Sequence, residues 1–290
     1  MKRVLITGEH SYIGNFLKEW LSQWKNEYEV DKISVRGDGW KKQTFKGYDV
    51  VVNVAAIVHQ NKNVSAKEYK RVNCELAIDL YKKCVKDGVN QYIFMSTCAV
   101  FAQSDKSHSY IKITEISKYE PSTLYGKSKR CAEIGLTKIK NKQTELSIVR
   151  APFIYGKNSP GNYEVFAKLS RKCLIIPDYK NYRSMLYIKN LCEFLRLLIE
   201  EESGGVFYPQ DREYVSSNVL MHWIRHANEK KVITINVKIL ITAMIQFSDA
   251  AVKVFGSFYV DQRLSDTFDH KYAIYSTADA IMEIEGGNMG

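Results

Sequence analysis

A tyrosine and a lysine four positions apart, Tyr125 and Lys129, lie in the segment STLYGKSKRCAE (122–133) and could together transfer a proton. If the segment is helical, residues four apart share one face, and the phenol and the ammonium are neighbours. A free tyrosine titrates at about pH 10, and a nearby positive charge favours the phenolate. The spacing suggests a tyrosine that works as an acid and base near neutral pH, but so short a pattern also arises by chance.

A turn of small residues follows the first apolar segment. RVLIT (3–7) is typical of a buried strand, and TGEHSYIG (7–14) leads from it into a helix-spaced apolar pattern. Gly8 and Gly14 flank Ser11, which stands where a further glycine is usual. Backbone N–H groups at such a strand-to-helix turn bind a pyrophosphate. The turn therefore predicts dinucleotide binding.

Strands and helices alternate through the first half of the chain. Segments such as DVVVNVAAIV, QYIFMST and ELSIVRA are typical of buried strands, with helical patterns between them. This alternation predicts an α/β fold, a doubly wound parallel sheet with helices on both faces. We predict an NAD(P)-binding Rossmann-type domain over 1–156, with core strands continuing to about 210, and a smaller, mainly substrate-binding C-terminal lobe over 157–290.

Composition argues against several classes of partner. The net charge of +10 comes from lysines spread along the chain, without a run of five, and no helix-turn-helix or zinc-finger pattern is present. We therefore predict an anionic small substrate and no nucleic acid. The six cysteines are scattered without a Cys-x-x-Cys, which predicts neither a zinc site nor a disulfide framework and fits a reducing cytoplasm.

One stretch is apolar enough to raise the question of a membrane. Residues 232–256 are rich in aliphatic side chains, but Lys238, Asp249 and Lys253 interrupt them. No run reaches the roughly 20 apolar residues that a spanning helix needs. We predict no transmembrane segment and interpret the stretch as core-packed helix and strand, with peripheral membrane contact as the alternative. The N-terminus has no signal-peptide pattern, which favours a cytoplasmic location.

Taken in order, the motifs resemble the extended short-chain dehydrogenase/reductase family of nucleotide-sugar epimerases, dehydratases and 4-keto reductases. The glycine turn, the double alanine in VVNVAA, the strand end FMSTCAVF, the Tyr-x-x-x-Lys pair and VRAPFIYG all match, over about residues 3–190. Together with Arg36, at the end of the second predicted strand, these motifs give the predicted cofactor contacts. They are Gly8, Ser11, Tyr12, Ile13, Gly14, Arg36, Ala55, Ala56, Lys129 and Pro152.

The resemblance implies a catalytic set of Thr97, Tyr125 and Lys129. Tyr125 would transfer the proton, and Lys129 would also hydrogen-bond the nicotinamide ribose. Thr97 would hold the substrate oxygen and share the proton, and Ser96 is the alternative for this role. No metal is predicted, because His222 and His226 lack the glutamate of a His-Glu-x-x-His motif and a nearby acidic cluster.

The end of the second strand bears on the choice of cofactor. An acidic residue there binds the ribose of NAD, whereas an arginine accommodates the 2′-phosphate of NADP. In ISVRGDGW the position falls on Arg36, with Asp38 two residues later. Arg36 favours NADP, and NAD stays open if Arg36 is solvated and Asp38 binds the ribose.

The resemblance also implies a substrate class. Later segments are similar to a bacterial subgroup acting on UDP-linked hexoses and N-acetylhexosamines in surface-polysaccharide assembly. Besides Thr97 and Tyr125, the expected substrate contacts are Asn162 and Arg183, at positions that bind the sugar-nucleotide pyrophosphate. His59 is expected either near the sugar or in a packing role.

Three functions follow from the resemblance. The first is a C4 epimerase of a UDP-hexose or UDP-N-acetylhexosamine, and the second is a UDP-4-keto-sugar reductase using NADPH. The third is a non-catalytic dinucleotide-binding regulatory protein. Dehydration is disfavoured because Cys98 and Ala99 stand where an Asp-Glu pair is usual. The family also suggests a homodimer.

Overall fold

The structure, a computed structural model, describes residues 1–58, 64–101 and 109–286. Its strands are β1 (Lys2–Thr7), β2 (Tyr28–Ile33), β3 (Val50–Asn53), β4 (Gln91–Thr97), β5 (Tyr110–Ile113), β6 (Glu145–Ala151), β7 (Phe153–Tyr155), β8 (Ile175–Pro177), β9 (Met185–Tyr187), β10 (Gly205–Phe207), β11 (Ile233–Ile235) and β12 (Ser257–Val260). Its α-helices are α1 (Tyr12–Leu21), α2 (Ala66–Lys70), α3 (Leu76–Asp87), α4 (Leu124–Ile139), α5 (Asn162–Lys172), α6 (Ile188–Glu201), α7 (Ser217–Ala227), α8 (Lys238–Phe247), α9 (Asp249–Phe255) and α10 (Thr277–Glu285).

The largest sheet has six strands in the order β10-β6-β4-β3-β1-β2, all parallel. Central strand residues such as Val4, Val50 and Ile93 are fully buried. Near-continuous apolar strands are expected where helices cover both faces of a parallel sheet. The predicted doubly wound α/β fold is confirmed.

Alternation along β1 assigns the helices to opposite faces of the sheet. Leu5 packs in a cluster with residues of α3 and α4, whereas Ile6 lies against Gly14 of α1. Successive strand residues point to opposite faces, so α1 lies across the sheet from α3 and α4. On β4, Gln91 donates to the carbonyl of Leu198 in α6 at 3.0 Å.

The chain divides into two compact units. The sheet unit comprises 1–101, 119–151 and 191–209, and the second unit comprises the described parts of 102–118, 152–190 and 210–290. The second unit contains three parallel two-stranded pairs, β7 with β9, β8 with β11, and β5 with β12. The assignment of cofactor and substrate to separate domains stays a prediction.

Two expectations about individual segments are corrected. Cys74 and Cys131 form a disulfide with their Cα atoms 5.7 Å apart, although we expected none. The two lie 57 positions apart, and no short-range pattern could show that their helices meet. The stretch 232–256, which we expected to pack in the core, is only partly buried. Many apolar side chains of α8 are exposed. Within the described part of the chain, no helix is long and apolar enough to cross a membrane.

Candidate active site

The turn between β1 and α1 leaves no room for side chains at its two glycines. Gly8 has φ +93°, which glycine adopts without strain. A Cβ atom there would lie 3.3 Å from the Cα of Ala55, and one at Gly14 would lie 3.0 Å from Ile6. The backbone of the turn therefore packs closely against the sheet. Such a turn is the cradle that a dinucleotide pyrophosphate needs.

Ser11 fits this turn for a reason that the sequence did not show. It is the N-cap of α1 with φ −67°, a conformation open to any residue. Its side chain accepts the N–H of Gly14 at 3.3 Å. Tyr12 and Ile13 begin the helix, and the first turn of α1 carries no acidic residue that would repel an anion.

The loop after β2 presents a basic residue. Arg36 is exposed and forms no ion pair within the residues that the structure describes. Asp38 is paired with Lys41 at 2.6 Å. Its hydrogen bond with Lys41 lowers the pKa of the Asp38 carboxyl.

The loop with Ala55 and Ala56 is held by two asparagines that sequence reasoning missed. Asn53 accepts from Thr7 and from the N–H of Ala55, at 2.8 and 3.1 Å. Asn73 both accepts from and donates to the backbone of Ile57, at 2.8 and 2.9 Å. Both asparagines are buried. A polar residue inside an apolar pattern was their only signal in the sequence.

Asn73 also connects this loop to the helix of Tyr125. It lies in a π-helical turn, Arg71–Glu75, a feature common at functional sites. Its Nδ2 donates to Ser128 at 3.0 Å, and Ser128 donates to the carbonyl of Tyr125 at 2.8 Å. The loop beside the glycine turn and the start of α4 are thereby fixed to each other.

The N-terminus of α4 is fixed by a cap and a close approach. Thr123 is the N-cap and accepts the N–H of Gly126 at 3.1 Å. A Cβ atom at Gly126 would overlap the carbonyl oxygen of Ala99, in the turn directly after β4. The glycine therefore lets the helix pack against the end of the strand that carries Thr97.

The structure brings Thr97, Tyr125 and Lys129 onto neighbouring elements of the sheet unit. The side chains of Thr97 and Tyr125 share a hydrogen bond. Lys129 is only 1% exposed, and its Nζ donates to the carbonyl of Met95 at 2.7 Å. This ammonium also lies 4.5 Å from the ring centre of Phe94.

Burial sets the ionisation of both groups. It raises the pKa of Tyr125 to about 12, although the hydrogen bond with Thr97 favours the phenolate. Burial also lowers the pKa of Lys129 to about 7, although the negative charge of Glu133 raises it. The expected lowering of the tyrosine pKa by Lys129 is not seen: burial raises that pKa, and Thr97 is the group that lowers it.

Behind Lys129 lies a buried ion pair that sequence reasoning missed. Glu133 and Arg150 are 1% and 3% exposed, and two hydrogen bonds of 3.0 and 2.8 Å join them. Ser96, the alternative to Thr97, donates to Glu133 at 2.6 Å. Ser96 thus faces the ion pair, whereas Thr97 faces Tyr125. Glu133 lies four residues after Lys129 and so continues the same helix face, which was the available signal.

In the second unit, Arg183 is a cation that has no acidic partner among the described residues. Its Nη2 donates to the carbonyl of Lys253. Its Nε is buried and has no hydrogen-bond partner among residues 1–58, 64–101 and 109–286. Burial lowers the pKa of Arg183 to about 10. A guanidinium that is partly removed from water, with no counter-charge in the described part of the chain, is costly unless an anion binds it.

The remaining predicted residues carry less information. Asn162 is the first residue of α5, and its side chain lies outside what the structure describes, as does all of His59. Pro152 follows β6 directly. His222 shares a hydrogen bond of 3.2 Å with Thr234 and lines a surface pocket with His226.

The parallel sheet and its glycine turn define a dinucleotide-binding α/β fold. The sequence of residues 4–209 matches the NAD dependent epimerase/dehydratase family, and the chain belongs to this family. The family predicted from the motifs is confirmed.

Three curated relatives are similar to the chain. Protein y4nL of Sinorhizobium fredii is 32% identical over 59% of this chain, and the match spans about half of that relative, 49%. The N-acetyl-alpha-D-glucosaminyl-diphospho-ditrans,octacis-undecaprenol 4-epimerase of Escherichia coli O157:H7 is 27% identical over 79% of this chain and 73% of its own. The UDP-glucose 4-epimerase of Vibrio cholerae is 26% identical over 90% of this chain and 87% of its own.

A solved structure supports the fold. The human epimerase family protein SDR39U1 with NADPH superimposes with a TM-score of 0.75 and 17% identity, over 98% of this chain and 99% of its own. At this identity the likeness concerns the fold.

Proposed function

We propose that the chain is an NAD(P)-dependent 4-epimerase of a nucleotide sugar that serves surface-polysaccharide biosynthesis. The observation that carries the proposal is the hydrogen bond between Thr97 and Tyr125, with Lys129 on the same helix. Two of the curated relatives are sugar 4-epimerases, one acting on a UDP-linked and one on a polyprenyl-diphosphate-linked sugar.

Each residue of this set has a distinct task in the proposal. Tyr125 takes the proton of the C4 hydroxyl when the sugar is oxidised and returns it when the sugar is reduced. Thr97 donates a hydrogen bond to the same substrate oxygen and orients it. Lys129, buried beside Met95, would hydrogen-bond the nicotinamide ribose next to Tyr125, and the positive charge of an oxidised nicotinamide would favour the phenolate. When bound, the nicotinamide accepts the hydride from C4 and gives it back.

The glycine turn fits a dinucleotide. Gly8 and Gly14 leave space against Ala55 and Ile6 that a Cβ atom would fill, and the N–H groups at the start of α1 are available to a pyrophosphate. Ser11 accepts the N–H of Gly14, so its hydroxyl hydrogen can bond a phosphate oxygen. These residues would hold the cofactor through the backbone and one hydroxyl.

A second candidate is a 4-keto-sugar reductase that consumes NADPH. Arg36 supports it, because it is exposed, has no ion pair with any described residue, and carries a guanidinium that can bind a 2′-phosphate with two hydrogen bonds. Asp38, the residue that would bind the ribose of NAD, is paired with Lys41.

If Arg36 binds a 2′-phosphate, Arg36→Ala should weaken NADPH binding by about 1.5–3 kcal/mol, the range for a charge-assisted hydrogen bond. NADH affinity should hardly change. Fluorescence titration of both cofactors measures the difference, with Lys42→Ala as a matched control for the loss of an exposed positive charge nearby. Equal losses for NADPH and NADH would exclude a role for Arg36 in discrimination.

Arg183 has the chemistry to anchor the substrate. Its buried Nε has no partner in the described part of the chain, and a planar guanidinium can hold two phosphate oxygens at once. A UDP-linked and a polyprenyl-linked sugar both contain a diphosphate. We therefore assign Arg183 to the diphosphate, and Asn162 to the same group.

We expect Arg183→Ala to raise the KM for a UDP-hexose or UDP-N-acetylhexosamine by about 10–100-fold, with a smaller fall in kcat, because a charge-assisted contact remote from C4 is lost. Arg183→Lys should recover only part of the lost substrate affinity, since lysine has the positive charge but not the two parallel N–H donors of a guanidinium.

Calorimetric titration with UDP, cofactor already bound, isolates this contact from the chemistry. The control is Arg212→Ala, an exposed arginine of the second unit. UDP binding to Arg183→Ala with wild-type affinity would show that another group anchors the diphosphate.

The nucleotide released by denaturing the purified protein distinguishes the two functions. Stoichiometric bound NAD supports the epimerase, because such an enzyme regenerates its cofactor in each turnover. An empty site that binds NADPH supports the reductase. A cytoplasmic location and a homodimer remain our predictions.

A further inference from the structure

Helix α8 carries an apolar stripe on its outer side. The stripe comprises residues that are all exposed, namely Ile239, Leu240, Ala243, Met244 and Phe247. The side chains of Ile239 and Phe247 are 89% and 83% exposed. In a helix of 3.6 residues per turn, these five positions cover about 140° of the circumference. They form one continuous surface.

This stripe is not the side of the helix that builds the core. Ile241 and Ile245, on the other side, are 5% and 6% exposed and pack with Ala251 and Val252 of α9. The polar residues Lys238, Thr242 and Gln246 separate this core side from the stripe on one flank of the helix, and on the other flank the two adjoin. The helix is therefore attached through one part of its apolar surface and keeps the other part in solvent.

Exposed apolar side chains continue beyond the helix. Ile233 and Ile235 of the preceding strand are 49% and 38% exposed. A groove of about 470 Å³ lies along 236–240 and Ala243. Single exposed apolar residues are ordinary, but a continuous patch marks an interaction surface.

The charge around the stripe indicates what covers it. Residues 229–249 contain three lysines, Lys230, Lys231 and Lys238, and two acidic residues at their ends, Glu229 and Asp249, which gives a net charge of +1. The chain as a whole has a net charge of +10, so a second copy would bring like charges together. An anionic lipid surface instead attracts such lysines and accepts the apolar side chains between its headgroups. With ten residues, α8 is too short to span a bilayer and suits a position in its surface.

We propose that α8 binds the surface of an anionic membrane, lying in the plane of the interface. Ile239, Leu240, Met244 and Phe247 enter the boundary between headgroups and acyl chains. Lys230 and Lys231, which precede β11, lie at the headgroups, whereas Lys238 is on the side of α8 away from the stripe. The proposal does not depend on the reaction that the sheet unit catalyses.

Flotation with lipid vesicles tests the proposal on the full chain. Wild type should float with vesicles of equal parts phosphatidylglycerol and phosphatidylcholine, and less with phosphatidylcholine alone or at high salt. The double variant Ile239→Gln/Phe247→Gln should reduce the partition at least about tenfold, because both apolar side chains are lost from the interface. Lys231→Gln should reduce binding by about fivefold on the anionic vesicles only.

The matched control is Thr242→Ala/Gln246→Ala, on the polar side of the same helix, which should float like wild type. All variants should keep the wild-type circular dichroism and the same turnover of a soluble UDP-sugar. Failure of wild type to float with anionic vesicles would overturn the proposal, as would equal flotation of wild type and Ile239→Gln/Phe247→Gln. A dimer that the double variant converts to a monomer, without vesicle binding by wild type, would assign the stripe to a second copy instead.

Discussion

Tyr125→Phe should lower kcat by about 10²–10⁴-fold, the usual contribution of a general acid–base group, and leave dinucleotide affinity unchanged. The substitution removes only the hydroxyl that shares a hydrogen bond with Thr97. The ring and its helix stay in place, because Thr123 and Ser128 fix the start of α4 through the backbone. Single-turnover kinetics with a UDP-sugar, combined with cofactor titration, measures both effects.

Tyr48→Phe is the matched control for the loss of a tyrosine hydroxyl. Tyr48 also has a hydrogen-bonded hydroxyl, 2.7 Å from Asp31, but it precedes β3 at the opposite end from Ala55. Its variant should keep kcat within about twofold of wild type, as for a substitution away from the reacting atoms. If Tyr125→Phe also stayed within about fivefold, the proton would be carried by another group.

Glu133→Ala should reduce the free energy of unfolding by about 3–5 kcal/mol, the cost of breaking a buried ion pair. Its loss leaves the guanidinium of Arg150, itself 3% exposed, without a counter-charge. Ser96 also loses an acceptor at 2.6 Å. Chemical denaturation of the cofactor-free protein measures the change independently of catalysis.

An exposed pair provides the comparison. Glu29 and Arg3 lie 3.0 Å apart with half-exposed side chains, so Glu29→Ala should cost at most about 1 kcal/mol. Replacing Glu133 by Leu and Arg150 by Met together should recover most of the loss, because no fully buried charge is then left unpaired; Arg130, which also contacts Glu133 at 3.0 Å, is 25% exposed and reaches water. Similar unfolding energies for Glu133→Ala and Glu29→Ala would contradict a structural role for the buried pair.

The sheet and its glycine turn were predictable because their signals are local. The strand RVLIT, the turn with Gly8 and the apolar face of α1 follow one another directly in the sequence, and each has its own pattern of apolar residues or glycine. Tyr125 and Lys129 are likewise fixed relative to each other by one turn of helix. Local spacing was sufficient for these elements.

Contacts between distant positions could not be read in the same way. Arg150 follows Glu133 by 17 positions, and Cys131 follows Cys74 by 57. The two residues of each pair come into contact only after the strands and helices have packed together. The ionisation of Tyr125 was also missed, because it depends on how much solvent the assembled fold removes. For α8, composition indicated an apolar helix, but not that one of its two apolar sides stays in solvent.

The most direct test of the central claim is an NMR assay of C4 inversion by the purified chain. UDP-glucose and UDP-N-acetylglucosamine are incubated separately with the protein and NAD, without a reductant, and the anomeric signals are followed. We expect the C4 epimer of at least one donor to accumulate to an equilibrium mixture, and none to form with Tyr125→Phe. Absence of any epimer from both donors and from a polyprenyl-diphosphate-linked N-acetylglucosamine, with cofactor bound, would contradict the claim.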